Sequence, residues 1–134
     1  MRVFVDTSAF FAYVNRNDQN HLSAKEIFTW LIREQAKLIC TNYVLLETVA
    51  LLQNRLGMLV VKDFQESVVP LLRIEWVDEE LHQTSVAVLL TANRRHLSMV
   101  DCTSFTTMRR LGIGTVFAFD QHFVEQGFTI AQAS

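Results

Sequence analysis

Four short apolar runs, separated by segments of helical length, constrain the fold of this chain more than any other feature. The runs are continuously apolar rather than alternating, and they contain many β-branched and aromatic residues. Strands of this kind are buried on both faces, which is typical of a parallel sheet covered by helices. The predicted strands are residues 2–5, 38–40, 74–77 and 115–119, with 128–130 as a final edge strand. We therefore predict an α/β fold, a single-domain open doubly wound parallel sheet flanked by helices.

Capping residues and glycines mark the helices between these strands. Ser23 and Glu26 have capping-box spacing and predict the start of a helix that runs to about residue 35. The other predicted helices cover residues 7–14, 42–56 after a Thr41 cap, 59–72, 79–93 after an Asp78 cap, and 99–111 after a Ser98 cap.

Composition limits the class of protein. A chain of 134 residues suits one domain, here predicted to span residues 1–134, and 50% hydrophobic with 19% charged residues excludes a disordered polypeptide. Two cysteines are too few for a disulfide framework. No apolar segment has the length of a signal-peptide core or a membrane span, so we expect a soluble cytoplasmic protein.

Two acids directly follow predicted strands. Asp6 ends the first run and Asp120 ends the fourth. The carboxyl ends of parallel strands meet at one edge of a sheet, where ligands bind at the point of reversed strand order. We expect the two carboxylates to lie on the same rim. The alternative is that each acid only starts a turn, a common role for aspartate.

Two further acids lie in predicted helices. Glu47 is surrounded by apolar residues, and a helix that is apolar all round is buried, so Glu47 either faces a cleft or is a costly buried charge. Asp101 lies near a helix N-terminus, where it is equally well explained as the capping partner of Ser98. The two explanations of Asp101 do not exclude each other.

Four carboxylates on one rim would repel each other and raise each other's pKa values. A divalent cation relieves that repulsion, and oxygen ligands favour a hard ion such as Mg²⁺ or Mn²⁺. Zinc is disfavoured, because the four histidines and two cysteines have no spacing that gathers them.

Four motifs together resemble the PIN-domain ribonucleases, and the VapC-type toxins of toxin–antitoxin pairs in particular. They are Val-Asp-Thr-Ser-Ala at residues 5–9, Glu47 in its helix, Ser-x-x-Asp-Cys-x-x-Phe at 98–105, and Phe-Ala-Phe-Asp-x-His-Phe at 117–123 followed by Gly-Phe at 127–128. The resemblance implies endonucleolytic cleavage of RNA with Mg²⁺ or Mn²⁺. It also implies a cognate antitoxin that covers the active cleft, and a homodimer.

The resemblance assigns the catalytic and metal-binding set to Asp6, Glu47, Asp101 and Asp120. We expect Asp6 and Asp101 to be direct metal ligands, with Glu47 and Asp120 binding a second ion or orienting the nucleophile. Ser8 is a candidate supporting residue through a hydrogen bond to Asp6, with a turn or helix-cap role as the alternative. Thr103 is a weaker candidate of the same kind.

The net charge of −2 argues against non-specific nucleic-acid binding, but one stretch of the chain is basic. Residues 91–110 contain four arginines against Asp101 alone, a local balance of +3. Arg94 and Arg95 are the candidate RNA contacts, because they precede the helix that carries Asp101; a solvated helix face is the alternative. Besides a toxin, the sequence is compatible with a housekeeping RNA-processing PIN nuclease or with a non-catalytic RNA- or partner-binding module.

Overall fold

The computed structural model describes residues 1–134, which form five strands and seven α-helices. The strands are β1 (Arg2–Val5), β2 (Lys37–Thr41), β3 (Leu72–Glu75), β4 (Thr115–Phe117) and β5 (Thr129–Ile130). The helices are α1 (Thr7–Val14), α2 (His21–Arg33), α3 (Asn42–Arg55), α4 (Met58–Asp63), α5 (Glu79–Ala92), α6 (Met99–Leu111) and α7 (Gln121–Glu125). None of the helices has the length and apolarity needed to cross a membrane.

All strand pairs are parallel, and the strand order is β3-β2-β1-β4-β5. The central strand β1 pairs with β2 on one side and β4 on the other, with Phe4 opposite both Ile39 and Val116. Val3, Phe4 and Val5 are 0% exposed, as expected for a strand covered on both faces. The prediction of a doubly wound parallel sheet is confirmed.

The sequence of crossovers places a topological switch point beside β1. The chain moves outward from β1 to β2 and β3, and then returns to the other side of β1 to form β4 and β5. In open parallel sheets, the loops that leave the strands on either side of such a reversal separate and create a crevice at the carboxyl edge. Here the crevice lies between the ends of β1 and β4, the two strands that precede Asp6 and Asp120.

A cluster of 27 buried apolar residues forms the core on both sides of the sheet. Phe105 on α6 packs edge-on against Phe123 on α7, with ring centroids 5.1 Å apart. Phe10 on α1 makes a similar contact with Phe64, at 5.2 Å. These contacts fix α1, α6 and α7, the three helices that begin at the carboxyl edge near the switch point.

Three helix caps were predicted correctly. The side chains of Thr41, Asp78 and Ser98 accept hydrogen bonds from the first turns of α3, α5 and α6. The predicted capping box of Ser23 and Glu26 is wrong, because α2 begins at His21 and both residues lie within it and are exposed.

Several element boundaries also differ from the prediction. The expected helix 59–72 is three pieces: α4, a π-helical turn (Phe64–Val68) and a 3₁₀ turn (Val69–Leu71) that contains the proline. Proline lacks the N–H that a continuing helix requires, and the helical segment stops at Leu71, before β3. The predicted strands 74–77 and 115–119 become Leu72–Glu75 and Thr115–Phe117, and α7 was not predicted.

Candidate active site

Asp6 follows β1 directly, and both its backbone N–H and one of its carboxylate oxygens are hydrogen-bonded. Its N–H donates to the carbonyl of Phe117 at the end of β4 (3.0 Å). Its Oδ2 accepts from the N–H of Ser8 (3.1 Å) and from the Ser8 hydroxyl (2.6 Å). The Ser8 hydroxyl accepts in turn from the N–H of Phe119 (2.9 Å). One hydroxyl therefore joins the Asp6 carboxylate to the segment that leads to Asp120.

Burial makes the Asp6 carboxyl group an unusually weak acid. The residue is 4% exposed, and desolvation raises its pKa to about 7. The two hydrogen bonds from Ser8 act in the opposite direction, and the negative charges of Asp101 and Glu47 raise the pKa further. Asp6 is thus close enough to both acids for their charges to repel it.

Glu47 lies on α3, at the edge of the face that packs on the sheet. That face contains Val44, Thr48 and Leu52, whereas Leu46 is 71% exposed. The prediction that this helix is buried all round is therefore wrong, and Glu47 is partly exposed. Burial raises the pKa of Glu47, and the charges of Asp101 and Asp120 add to the rise.

A buried pair of threonines holds α3 against the start of α1. The Thr48 hydroxyl donates to the hydroxyl of Thr7 (3.1 Å), which donates to the carbonyl of Val44 (3.4 Å). Thr7 is adjacent to Asp6 and Thr48 is adjacent to Glu47. These hydrogen bonds therefore fix the two acids relative to each other.

Asp101 is the third residue of α6 and completes a capping box. The Ser98 hydroxyl accepts from the N–H of Asp101 (3.0 Å), and Asp101 Oδ2 accepts from the N–H of Ser98 (3.2 Å). Burial raises the pKa of Asp101, the Ser98 bonds lower it, and the charge of Asp120 raises it. The capping role is confirmed, and it leaves Oδ1 outside the box.

Asp120 does not end a strand, because β4 stops at Phe117. It is the N-cap of α7, where its Oδ1 accepts from the N–H of His122 (2.9 Å). His122 Nε2 lies 4.0 Å from the same oxygen. The ligand atoms of Asp101, Asp120 and His122 lie within 4.8 Å of one another.

His122 was not predicted as a site residue. The only signal in the sequence is that His122 comes two residues after Asp120. Both residues lie at the start of α7, and that helix was not predicted. Its Nε2 bonds the carbonyl oxygen of His96 (3.1 Å), and a carbonyl only accepts, so Nε2 carries the proton. Nδ1 is buried and has no hydrogen-bond partner.

The four predicted acids thus share one rim, since Asp101 and Glu47 raise the pKa of Asp6, Asp101 and Asp120 raise that of Glu47, and Asp120 raises that of Asp101. Repulsion between carboxylates that are partly or fully buried is relieved when a divalent cation binds between them. The donor set of carboxylate oxygens fits a hard cation, and His122 lies beside two of the acids, Asp101 and Asp120. The residues present therefore fit a metal site.

The remaining predicted residues differ in their placement. Thr103 is buried, and its hydroxyl donates to the carbonyl of Met99 within α6 (2.8 Å). Arg94 and Arg95 are exposed in the loop before α6, as predicted. Two other arginines of the basic stretch have structural partners; Arg109 bonds Gln126 and Arg110 bonds Thr84.

The comparison with known families agrees with this geometry. The PIN domain family model matches residues 3–128. The chain belongs to the PIN domain family. This PIN domain is 35% identical over 127 residues to VapC20 of Mycobacterium tuberculosis, a 23S rRNA-specific endonuclease, in strains CDC 1551/Oshkosh and ATCC 25618/H37Rv. The alignment covers 94% of this chain and 95% of the relative.

Solved structures show the same PIN fold. The crystal structure of M. tuberculosis VapC20, a toxin that cleaves the sarcin-ricin loop, superposes with a TM-score of 0.83 at 34% identity. That match covers 97% of this chain and 98% of VapC20. FitAcB from Neisseria gonorrhoeae matches with a TM-score of 0.65 at 16% identity, over 98% of this chain and 97% of FitAcB, which shows the fold alone.

Proposed function

We propose that this PIN domain is a divalent-metal-dependent endoribonuclease that hydrolyses phosphodiester bonds in RNA and acts as the toxin of a toxin–antitoxin pair. The observation that carries the proposal is the electrostatic coupling of Asp6, Glu47, Asp101 and Asp120 at the switch point of the sheet. The 35% identity to a 23S rRNA-specific endonuclease supports the same activity.

The exposure of the four acids suggests a division of roles. Asp6 and Asp101 are 4% and 8% exposed, and they would be the residues that hold an Mg²⁺ or Mn²⁺ ion. Bound there, the ion supplies charge neutralisation and Lewis acidity to the phosphoryl group. Glu47 and Asp120 are more exposed, and they orient the attacking water towards the phosphorus atom.

The surrounding residues pre-arrange these acids. Ser8 fixes the orientation of Asp6, and the capping box fixes Asp101 before any ligand arrives. Neither carboxylate then loses much side-chain entropy when a cation and a substrate bind. Thr103 acts only within its own helix in this scheme, so we assign it no direct part in the reaction.

The substrate and partners follow from the relatives as proposals. VapC20 acts on 23S rRNA, so ribosomal RNA is the first substrate to test for this chain. As a toxin, the protein would have a cognate antitoxin that covers the active cleft, and we propose a homodimer in solution. Light scattering on the purified protein, alone and with the product of the neighbouring reading frame, measures both assemblies.

The direct test is cleavage of 23S rRNA and of a single-stranded RNA by purified protein with Mg²⁺, with Mn²⁺ and with EDTA. We expect cleavage with either metal, none in EDTA, and none by Asp6→Asn or Asp101→Asn. Asp63→Asn is a matched control, because Asp63 is an exposed acid on α4 outside the acidic site. Circular dichroism confirms that each variant is folded.

Each contrary outcome points to a different function. Equal cleavage by wild type and Asp6→Asn would indicate a contaminating nuclease and would refute the assigned site. RNA binding without cleavage in any metal would favour a non-catalytic module. Cleavage that matures one RNA without arresting growth on expression would favour a housekeeping nuclease over a toxin.

A further inference from the structure

A basic loop lies between α5 and α6 and leads directly into the capping box of Asp101. This loop, residues 93–98, is called the basic lip below. The side chains of Arg94, Arg95 and His96 are exposed on it. The basic lip therefore presents cationic and polar groups immediately before an element of the acidic site.

Three contacts fix the basic lip to the rest of the molecule. Leu97 is 3% exposed and belongs to the core. The Nε2–H of His122 donates to the carbonyl oxygen of His96 (3.1 Å). Nη1 of Arg94 donates to Oε2 of Glu125 (2.8 Å). Two of the three contacts are thus made by α7, a helix distant in sequence.

The basic lip consequently joins the two elements that carry Asp101 and Asp120. Asp101 lies in the first turn of α6, just after the lip, and Asp120 caps the helix that holds the lip. His122 Nε2 contacts the lip and lies 4.0 Å from Oδ1 of Asp120. The lip is therefore held beside the acids rather than extending freely into solvent.

Arg94 and Arg95 have different environments. Arg94 is paired with Glu125, and its hydrogen bond lowers the pKa of Glu125. Arg95 is exposed, and no ion pair or side-chain hydrogen bond involves it. A phosphate binding to Arg95 displaces no protein partner, whereas a phosphate binding to Arg94 must compete with Glu125.

We infer that Arg95 contacts a backbone phosphate of RNA next to the bond that is cleaved, and that Arg94 and Glu125 are a positioning pair that holds the lip for this contact. The inference rests on the proposed function, because it takes RNA as the ligand. Arg94 and Arg95 thereby have different roles, and Glu125 acts through Arg94.

The salt dependence of RNA binding distinguishes a phosphate contact from a positioning pair. For single strands, the logarithm of the association constant falls with the logarithm of salt concentration by about 0.7 per neutralised phosphate. Binding of a fluorescent single-stranded RNA to the uncleaving Asp6→Asn protein is measured by anisotropy between about 50 and 200 mM KCl. We expect Arg95→Gln to reduce the slope by about 0.7.

A charge exchange tests the positioning pair. The double variant Arg94→Glu, Glu125→Arg keeps an ion pair between the lip and α7 but moves the positive charge to the helix. We expect it to retain the affinity and slope of the Asp6→Asn parent. Arg33→Gln is the matched control, since Arg33 is exposed at the end of α2, which leads to the amino edge of the sheet.

Either of two results would overturn the inference: an unchanged slope in Arg95→Gln, or a slope reduced by about 0.7 in the exchange variant, which would make Arg94 the phosphate contact. Either result alongside metal-dependent cleavage by wild type leaves the proposed nuclease intact. Conversely, the expected slopes without any cleavage would uphold the basic lip as an RNA contact and refute the nuclease.

Discussion

Replacing Asp6 by asparagine in the metal-free protein measures the cost of the charge at the centre of the acidic site. Burial raises the pKa of Asp6 from 3.8 to about 7. Since one pKa unit corresponds to about 1.36 kcal/mol, ionised Asp6 destabilises the folded state by at most about 4 kcal/mol. Asparagine has no charge to desolvate, and its Oδ1 still accepts the hydrogen bonds from Ser8.

The direction of the pH effect follows from proton binding. The pKa of Asp6 is higher in the folded than in the unfolded chain, so the folded state binds more protons between about pH 4 and pH 7. The contribution of protonated Asp6 to the free energy of unfolding is fully present below about pH 4. It is lost as the pH rises through about 7. We therefore expect Asp6→Asn to be more stable than wild type at pH 8, with a difference that shrinks towards pH 4.

Urea unfolding in EDTA at several pH values between 5 and 8 measures this difference. For a chain of 134 residues, 1 kcal/mol corresponds to about 3–4 °C in Tm, so thermal unfolding gives an independent check. Mg²⁺ at pH 8 should stabilise wild type and not the variant. A stability difference that does not vary with pH, or a variant less stable than wild type at pH 8, would refute the reasoning.

Three further predictions concern single side chains. Ser8→Ala removes the hydroxyl that orients Asp6 and should weaken Mn²⁺ binding by about 10–100-fold, measured by calorimetry; unchanged affinity would contradict that role. Cys40 is buried with its pKa raised to about 12, so it should not react with Ellman's reagent at pH 8 until the protein unfolds; rapid labelling of native protein would show otherwise. Phe123→Ala should lower the free energy of unfolding by about 3–5 kcal/mol in urea, because the ring is 0% exposed; a loss below about 1 kcal/mol would mean that α7 contributes little to the core.

Much of the fold was predictable because local signals agree with the final packing. The strands beginning at Arg2 and Lys37 are continuous apolar runs in the sequence, and they are the buried centre of the sheet. Thr41, Asp78 and Ser98 are caps in the structure because their side-chain oxygens satisfy N–H groups of the next turn, an interaction that needs no distant partner.

The elements that were missed depend on distant contacts. Helix α7 has five residues, too few for a periodic pattern, and it is held by the packing of Phe123 on Phe105. For α3 the error was different: the apolar sequence predicted a helix buried on all sides. Leu46 is apolar and yet 71% exposed, so hydrophobicity alone did not predict burial there.

The candidate site was likewise predicted in part, and the residues that were missed depend on distant contacts. A general rule about strand ends placed Asp6 and Asp120 on one rim, and the structure brings the four acids together there. His122 and the Arg94–Glu125 pair could not be predicted, because each depends on how α7 meets a loop that precedes it by more than twenty residues. The catalytic roles of the acids stay predictions until the variants are assayed.

The capping box of Asp101 has a consequence for how this protein can lose its activity. An amide at this position keeps an oxygen that accepts the N–H of Ser98, so α6 would still start at the same residue. If Asp101 has the catalytic role proposed for it, exchanging one of its atoms would remove the activity and leave the fold. Under that proposal, an Asp101→Asn protein would be inactive but folded, and it would still compete with the active enzyme for RNA.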